Sequence, residues 1–270
     1  MRLLETKEVQ NTLLELMTKV HKYLDKKNIK YYMLGGNALG AIRHGGFIPW
    51  DDDIDIGLFR EDYEKLISDF NDFDSDYEMI NYKNSKNCDF CLSRIYFKNI
   101  VIDNPSIKNT RLDKRLYFDI FPIDNVPDDD NELKKYEKKI SKKKMLIQRI
   151  DVRDYGNKFY IKLIKKIISI TLTPFRQAIL KSTDKLMQKY KNVNTKRVCS
   201  LCSQYSFKRQ VMDRDIYGTP ILFKFENTSF YLPEKPNEYL TTLFGNDYME
   251  IPPVEKRRKG YNIYLVSEEK

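Results

Sequence analysis

Four carboxylates in five positions, Asp51, Asp52, Asp53 and Asp55, stand between Phe47-Ile48-Pro49-Trp50 and Ile56-Gly57, and no other stretch restricts the fold of this chain so tightly. Neighbouring carboxylates repel one another, and Asp is depleted from strands. Residues two apart on a strand share a face. An extended reading therefore sends Asp51, Asp53 and Asp55 to one side and Ile54 and Ile56 into a core. The acidic side makes a poor surface but a good cradle for a hard divalent cation, Mg2+ or Mn2+. A solvated acidic loop, or a calcium-type loop, is the plainer reading of the same residues.

The flanks favour the cradle. Val9, Leu13, Leu16, Met17, Val20 and Leu24 recur at helical spacing and predict an amphipathic helix ending near Asn28. Ile29 to Leu34 reads as a short buried strand broken by Gly35-Gly36, and Asn37 as the N-cap of a helix over 38–44. After the acids, Arg60 to Phe70 suits a helix with acids in its first turn. Strands are expected over 90–102 and 116–120, where Asp119 stands between Phe118 and Ile120. Strand, glycine pair, short helix, then a strand bearing Asp-x-Asp is a layout that serves nucleotidyl transfer. The glycines admit phosphate to backbone N–H groups, and the acids hold a metal against it.

From about residue 130 the pattern becomes Lys-rich and helical to about 190, broken near Thr173-Pro174, and the remainder is mixed. The expected architecture is one α/β (α+β) unit, a mixed sheet with flanking helices and a helical elaboration. Its parts are a core over 1–128, the elaboration over 129–200 and a completing segment over 201–270. A chain of 270 residues, 41% of them hydrophobic, is long enough to bury such a core.

The formal net charge of +9 raises the question of nucleic acid. Much of the excess lies in Lys134–Lys144, in Lys158–Lys166 and in a smaller group at Lys256–Lys259. Such runs are solvated helix faces as readily as nucleic-acid contacts, and no nucleic-acid-binding motif accompanies them, so nucleic acid is not expected. No apolar run is long enough to span a bilayer, and the N-terminal segment lacks a signal-peptide layout. A cytoplasmic protein is expected.

Leu34 to Gly57, LGGNALGAIRHGGFIPWDDDIDIG, resembles the signature of the LicD family of phosphocholine transferases, to which the fukutin-type sugar-phosphate transferases are related. The resemblance continues at Arg60-Glu61-Asp62-Tyr63 and at Asp119-Ile120-Phe121-Pro122-Ile123-Asp124. It resumes at Phe225-Glu226-Asn227, Tyr239-Leu240, Phe244-Gly245, Asp247-Tyr248-Met249 and Pro252-Pro253, with Arg257 or Arg258 behind. It implies a nucleotidyltransferase-like fold, a magnesium-type ion and a CDP-choline donor. Phosphocholine would pass to a hydroxyl of a cell-surface glycan precursor, of teichoic acid or lipopolysaccharide type, with release of CMP. Asp53 and Asp55 match the family's metal ligands, with Asp51 in the same motif. Gly35, Gly36, Arg43 and His44 match the residues around the donor phosphates.

Asp119 is the candidate to complete the metal site or to take the acceptor's proton, and Arg94, like Arg43, to grip a phosphate oxygen. An aromatic face suits choline's quaternary ammonium. The same acids would serve nucleotidyl transfer to a small molecule, protein or RNA, or a non-catalytic nucleotide-binding module. Two Cys-x-x-Cys pairs, Cys88/Cys91 and Cys199/Cys202, suit a structural zinc if the fold unites them; free buried thiols are the alternative. In Tyr160 to Thr171, Tyr160, Leu163, Ile164, Ile167 and Ile168 recur at helical spacing, with Lys162, Lys165 and Lys166 mainly opposite. That stripe either packs into the core or lies on the inner membrane face, where a lipid-linked acceptor would be met.

Overall fold

The apolar spacing at the start of the chain produces α1, Thr6–Lys26, whose Val9, Leu13, Leu16, Met17, Val20 and Leu24 are all buried. Glu5 and Glu8 close its first turn as a reciprocal capping box. The computed structural model describes residues 1–70, 73–105, 113–150, 159–257 and 260–266, without the side chains of Phe159 and Lys162. Of the basic positions named above, Lys158, Arg258, Lys259 and the side chain of Lys162 thus lie outside the described residues.

After β1 (Arg2–Leu3) and α1 come β2 (Tyr32–Met33), α2 (Gly35–His44), β3 (Asp55–Phe59), α3 (Arg60–Asp69), β4 (Tyr77–Ile80), β5 (Ser93–Asp103) and β6 (Arg115–Asn125). Helices α4 (Asp130–Ile150), α5 (Phe159–Leu172) and α6 (Arg176–Met187) follow. Then come β7 (Arg197–Cys199), α7 (Phe207–Gln210), β8 (Val211–Asp213), α8 (Arg214–Tyr217), β9 (Ile221–Phe225), β10 (Thr228–Leu232), α9 (Pro236–Phe244) and β11 (Asn262–Leu265). The main sheet runs β1-β11-β5-β6-β3-β2, with β4 on β5 and β7 and β8 branching from β6; β9 and β10 form a separate hairpin. Strands β3 and β6 are parallel and the remaining pairs antiparallel. The mixed α/β expectation holds.

Three local expectations are corrected. The strand expected over 29–34 is only Tyr32–Met33, because its pairing with β3 covers just Gly57 and Ile56. Helix α2 begins two residues before Asn37, with Leu34 in the extended N-cap position. Gly35 opens it at φ +52°, a conformation that L side chains rarely adopt. Strand β3 starts at Asp55, so residues 47–54 are loop, and the two-residue alternation does not reach Asp51. Ile54 and Ile56 are nevertheless fully buried.

The Lys-rich segment forms α4 to α6, broken where expected by a single 3-10 turn at Thr173–Phe175. Val126, Tyr136, Ile140, Leu180, Met187 and Cys199 make a second buried cluster between these helices and the sheet. A buried ionic group fastens them. Arg60 at the start of α3 donates from Nε and Nη2 to both oxygens of Asp124, each at 2.7 Å, and from Nη1 to Asp184 of α6 at 3.1 Å. Tyr82 and Gln188 donate to the other Asp184 oxygen at 2.6 Å.

Candidate active site

The acids sit on the loop between α2 and β3, and two amides hold that loop. Gln10 of α1 donates from Nε2 to the carbonyls of Ile48 and Asp51 at 3.1 and 3.0 Å. Asn37, buried in the first turn of α2, donates from Nδ2 to the Asp53 carbonyl at 3.0 Å. Its Oδ1 accepts the Asp55 N–H at 2.6 Å. One side chain therefore spans the Asp-x-Asp pair and sets its backbone against the helix. The cap reading of Asn37 missed this role, since a buried carboxamide with two backbone partners leaves the same sequence signal as a cap. Asn37→Ala is expected to cost about 1–3 kcal/mol of stability by leaving two backbone groups without partners. Urea denaturation measures it, and an unchanged midpoint would show that the amide does not hold the loop.

The N-terminus of α2 faces carboxylates. A Cβ added at Gly36 would lie 2.9 Å from Asp51 Oδ2, and one at Gly35 would lie 3.8 Å from Asp55 Oδ2. The Gly35 N–H donates to the buried Tyr239 hydroxyl at 2.9 Å. The positive end of the helix dipole thus stabilises Asp51 and Asp55, which accounts for part of the tolerance of so many adjacent charges.

Asp55 and Asp119 are register partners on the parallel strands β3 and β6, and Arg94 of β5 is the register partner of Asp119 on its other side. Arg94 Nε donates to Asp119 Oδ1 at 2.6 Å, with side-chain exposures of 18% and 15%. The guanidinium lies over Phe90 at 4.3 Å and Tyr117 at 4.0 Å. Arg94 therefore positions Asp119 through its Nε. Burial lifts the Asp119 carboxyl above the usual carboxylate range, Arg94 pulls it down, and Asp53 and Asp89 push it up again. Asp52, Asp53, Asp55, Asp89, Asp113 and Asp119 line one cleft of about 530 Å³, together with Arg94, Lys114, Lys144, Tyr117, Tyr205 and Tyr261. The predicted Asp53, Asp55, Asp119 and Arg94 are brought together. Asp52, rather than Asp51, is among the residues that line the cleft.

Arg43 and His44 end α2, roughly 12 Å along its axis from Gly35. Arg43 donates from Nη1 to the carbonyls of Tyr248 and Glu250, both at 2.9 Å. Burial, and after it the neighbouring Arg43, holds the His44 imidazole below its ordinary value. Arg43 is thus placed on the C-terminal segment, His44 lies edge-on to Trp50, and neither lines the cleft. The other C-terminal blocks also converge on the signature. The Phe47 N–H donates to Glu226 Oε1 at 3.1 Å, the Tyr261 N–H to Asp52 Oδ2 at 3.3 Å, and Arg257 stacks 4.2 Å above Trp50.

Among the described residues, no three His, Cys, Asp or Glu side chains are grouped so as to hold a metal ion by themselves. For magnesium this fits an open site, since that ion is commonly held by one or two carboxylates with substrate phosphates and water supplying the rest. Asp53 and Asp55 provide hard oxygen donors of that kind. A closed four-thiolate zinc site does not fit. The Cys88 thiol points to the Phe90 carbonyl, Cys91 to that of Leu180 and Cys202 to Met187 Sδ. Burial pushes the Cys88 and Cys202 thiols up to about 12 and raises those of Cys91 and Cys199 as well. At pH 8 the folded protein is expected to react with a thiol reagent about 100-fold more slowly than the unfolded chain. Rapid reaction without denaturant would contradict that.

The chain is similar to known proteins. The family model described as LicD/FKTN/FKRP, nucleotidyltransferase domain, covers residues 28–158. The Haemophilus influenzae lipopolysaccharide cholinephosphotransferase LicD is 26% identical over 263 residues, spanning 96% of this chain and 96% of that protein. Human ribitol 5-phosphate transferase FKRP is 49% identical over 39 residues, 14% of this chain and 8% of its own length.

Proposed function

With residues 28–158 belonging to the LicD/FKTN/FKRP nucleotidyltransferase family as its premise, we propose that this phosphotransferase moves phosphocholine from CDP-choline to a hydroxyl of a cell-surface glycan precursor and releases CMP. The observation that carries this reading is the cleft in which Asp53 and Asp55 meet Asp119 across the parallel strands β3 and β6.

The charge of the cleft supports the choice of donor. Six Asp residues line it against the cations of Arg94, Lys114 and Lys144. A bare polyanion would be repelled from such walls. A diphosphate that arrives with a divalent ion and carries a quaternary ammonium brings its own positive charge. Tyr205 and Tyr261 offer aromatic faces for that ammonium.

Transfer at phosphorus asks mainly for in-line placement and neutralised charge. Asp53 and Asp55 would hold a Mg2+ or Mn2+ ion, which supplies neutralisation at the diphosphate. Asp119, lifted by burial and fixed by Arg94, accepts the proton of the acceptor hydroxyl. Asn37 holds the backbone of the two acids, so that their carboxylates need little rearrangement when donor binds.

Incubation with CDP-choline or CTP, each with a glycan acceptor, tests the reading. Release of CMP from CDP-choline is expected. Release of pyrophosphate from CTP alone would instead assign nucleotidyl transfer, and tight donor binding without turnover would assign a binding module.

A further inference from the structure

Helix α5 turns an apolar stripe outward. Tyr160, Leu163, Ile164, Ile167 and Ile170 are between 49% and 61% exposed, and Phe175, just beyond the helix, is 61% exposed. The opposite side of α5 is the one that packs: Ile161, Ile168 and Leu172 are half-buried, and the Ser169 hydroxyl donates to the Ile150 carbonyl of α4. Core packing therefore accounts for one face of α5, and among the described residues nothing covers the other. Scattered exposed apolar residues are ordinary, but a continuous stripe along about three turns marks an interaction face.

Charge selects the occupant. Helix α4 carries eight Lys and Arg against three acids, and α5 carries three Lys and no acid. Lys166 is exposed beside the stripe. A second copy docking face to face would bring these cations against one another. An anionic lipid surface attracts them and also receives the isoleucines. At 14 residues α5 is about 21 Å long, short of the ~30 Å hydrocarbon core. No helix among the described residues is long and apolar enough to cross a membrane. An interfacial position is the one its length allows.

We propose that the exposed face of α5, with Phe175, docks the protein on an anionic lipid bilayer surface. Helix α4 packs on the other side of α5 and supplies Lys144, Ile147 and Gln148 to the cleft wall, so α5 is linked to the cleft through one helix. The inference stands on exposure and charge and does not depend on the reaction proposed above.

Flotation of the full chain with vesicles of phosphatidylcholine, alone or mixed with phosphatidylglycerol, at low and high salt, is the test. Binding to the anionic vesicles alone is expected, weakened by salt. Lys166→Gln should reduce it about fivefold, and Ile164→Asn with Ile167→Asn by tenfold or more. All three positions are exposed, so an unchanged melting temperature verifies the fold of each variant. No flotation under any condition, or flotation indifferent to the isoleucine changes, overturns the proposal. So does a dimer in sedimentation velocity that the same isoleucine changes dissociate, which would assign the face to a second copy.

Discussion

Asp53→Asn and Asp55→Asn are each expected to lower phosphocholine transfer about a thousandfold or more under saturating magnesium, with the fold intact or slightly stabilised. The amide keeps the shape of the carboxylate and one oxygen, but it removes the charge on which a hard cation depends. Stability should not suffer, because the loop is held by backbone groups bonded to Asn37 and Gln10, which these substitutions leave in place. Neutralising Asp53 also removes one of the charges that raise the Asp119 carboxyl. Steady-state rates and urea denaturation of the same preparations separate the two effects. Near-wild-type turnover in both variants would remove these residues from the chemistry.

The largest loss of stability is expected at Arg60. Arg60→Met strips both N–H partners from Asp124 and one from Asp184, whose side chains are only 1% and 3% exposed. Removing one partner of a buried pair costs about 3–5 kcal/mol, because a buried charge is left uncompensated. The double variant Arg60→Met with Asp124→Leu should recover much of that loss, since the cost lies in the stranded carboxylate. Urea denaturation gives both numbers. A single-variant loss below about 1 kcal/mol would show that the group is not the fastening between α3, β6 and α6 that its geometry describes.

How much of this was legible in the sequence follows from the range of the interactions. Helix α1 was readable because six apolar residues repeat on one face, and the break at Thr173-Pro174 because proline cannot continue a helix. The Asp-x-Asp cradle was readable in outline. Its true geometry depends on Asn37 and Gln10, whose partners lie 16 to 41 positions away, and no local pattern encodes that. Arg43 illustrates the same limit. The family resemblance implied a phosphate contact for it, whereas its guanidinium binds carbonyls more than two hundred positions away. The weak C-terminal resemblance blocks acquire meaning only in three dimensions, where Glu226, Tyr239, Tyr248 and Arg257 brace the segment from Gly35 to Trp50. The stripe on α5 was visible as a pattern, but whether it faced core or solvent depended on which side met α4.

The most direct measurement concerns which phosphorus of CDP-choline is attacked. Phosphorus NMR of one incubation with acceptor, combined with the mass of the modified acceptor, reads both halves of the donor. An acceptor that gains phosphocholine while CMP accumulates is the expected result, with both products absent in Asp55→Asn. An acceptor that gains CMP while free phosphocholine accumulates would contradict it and place the chemistry at the other phosphorus.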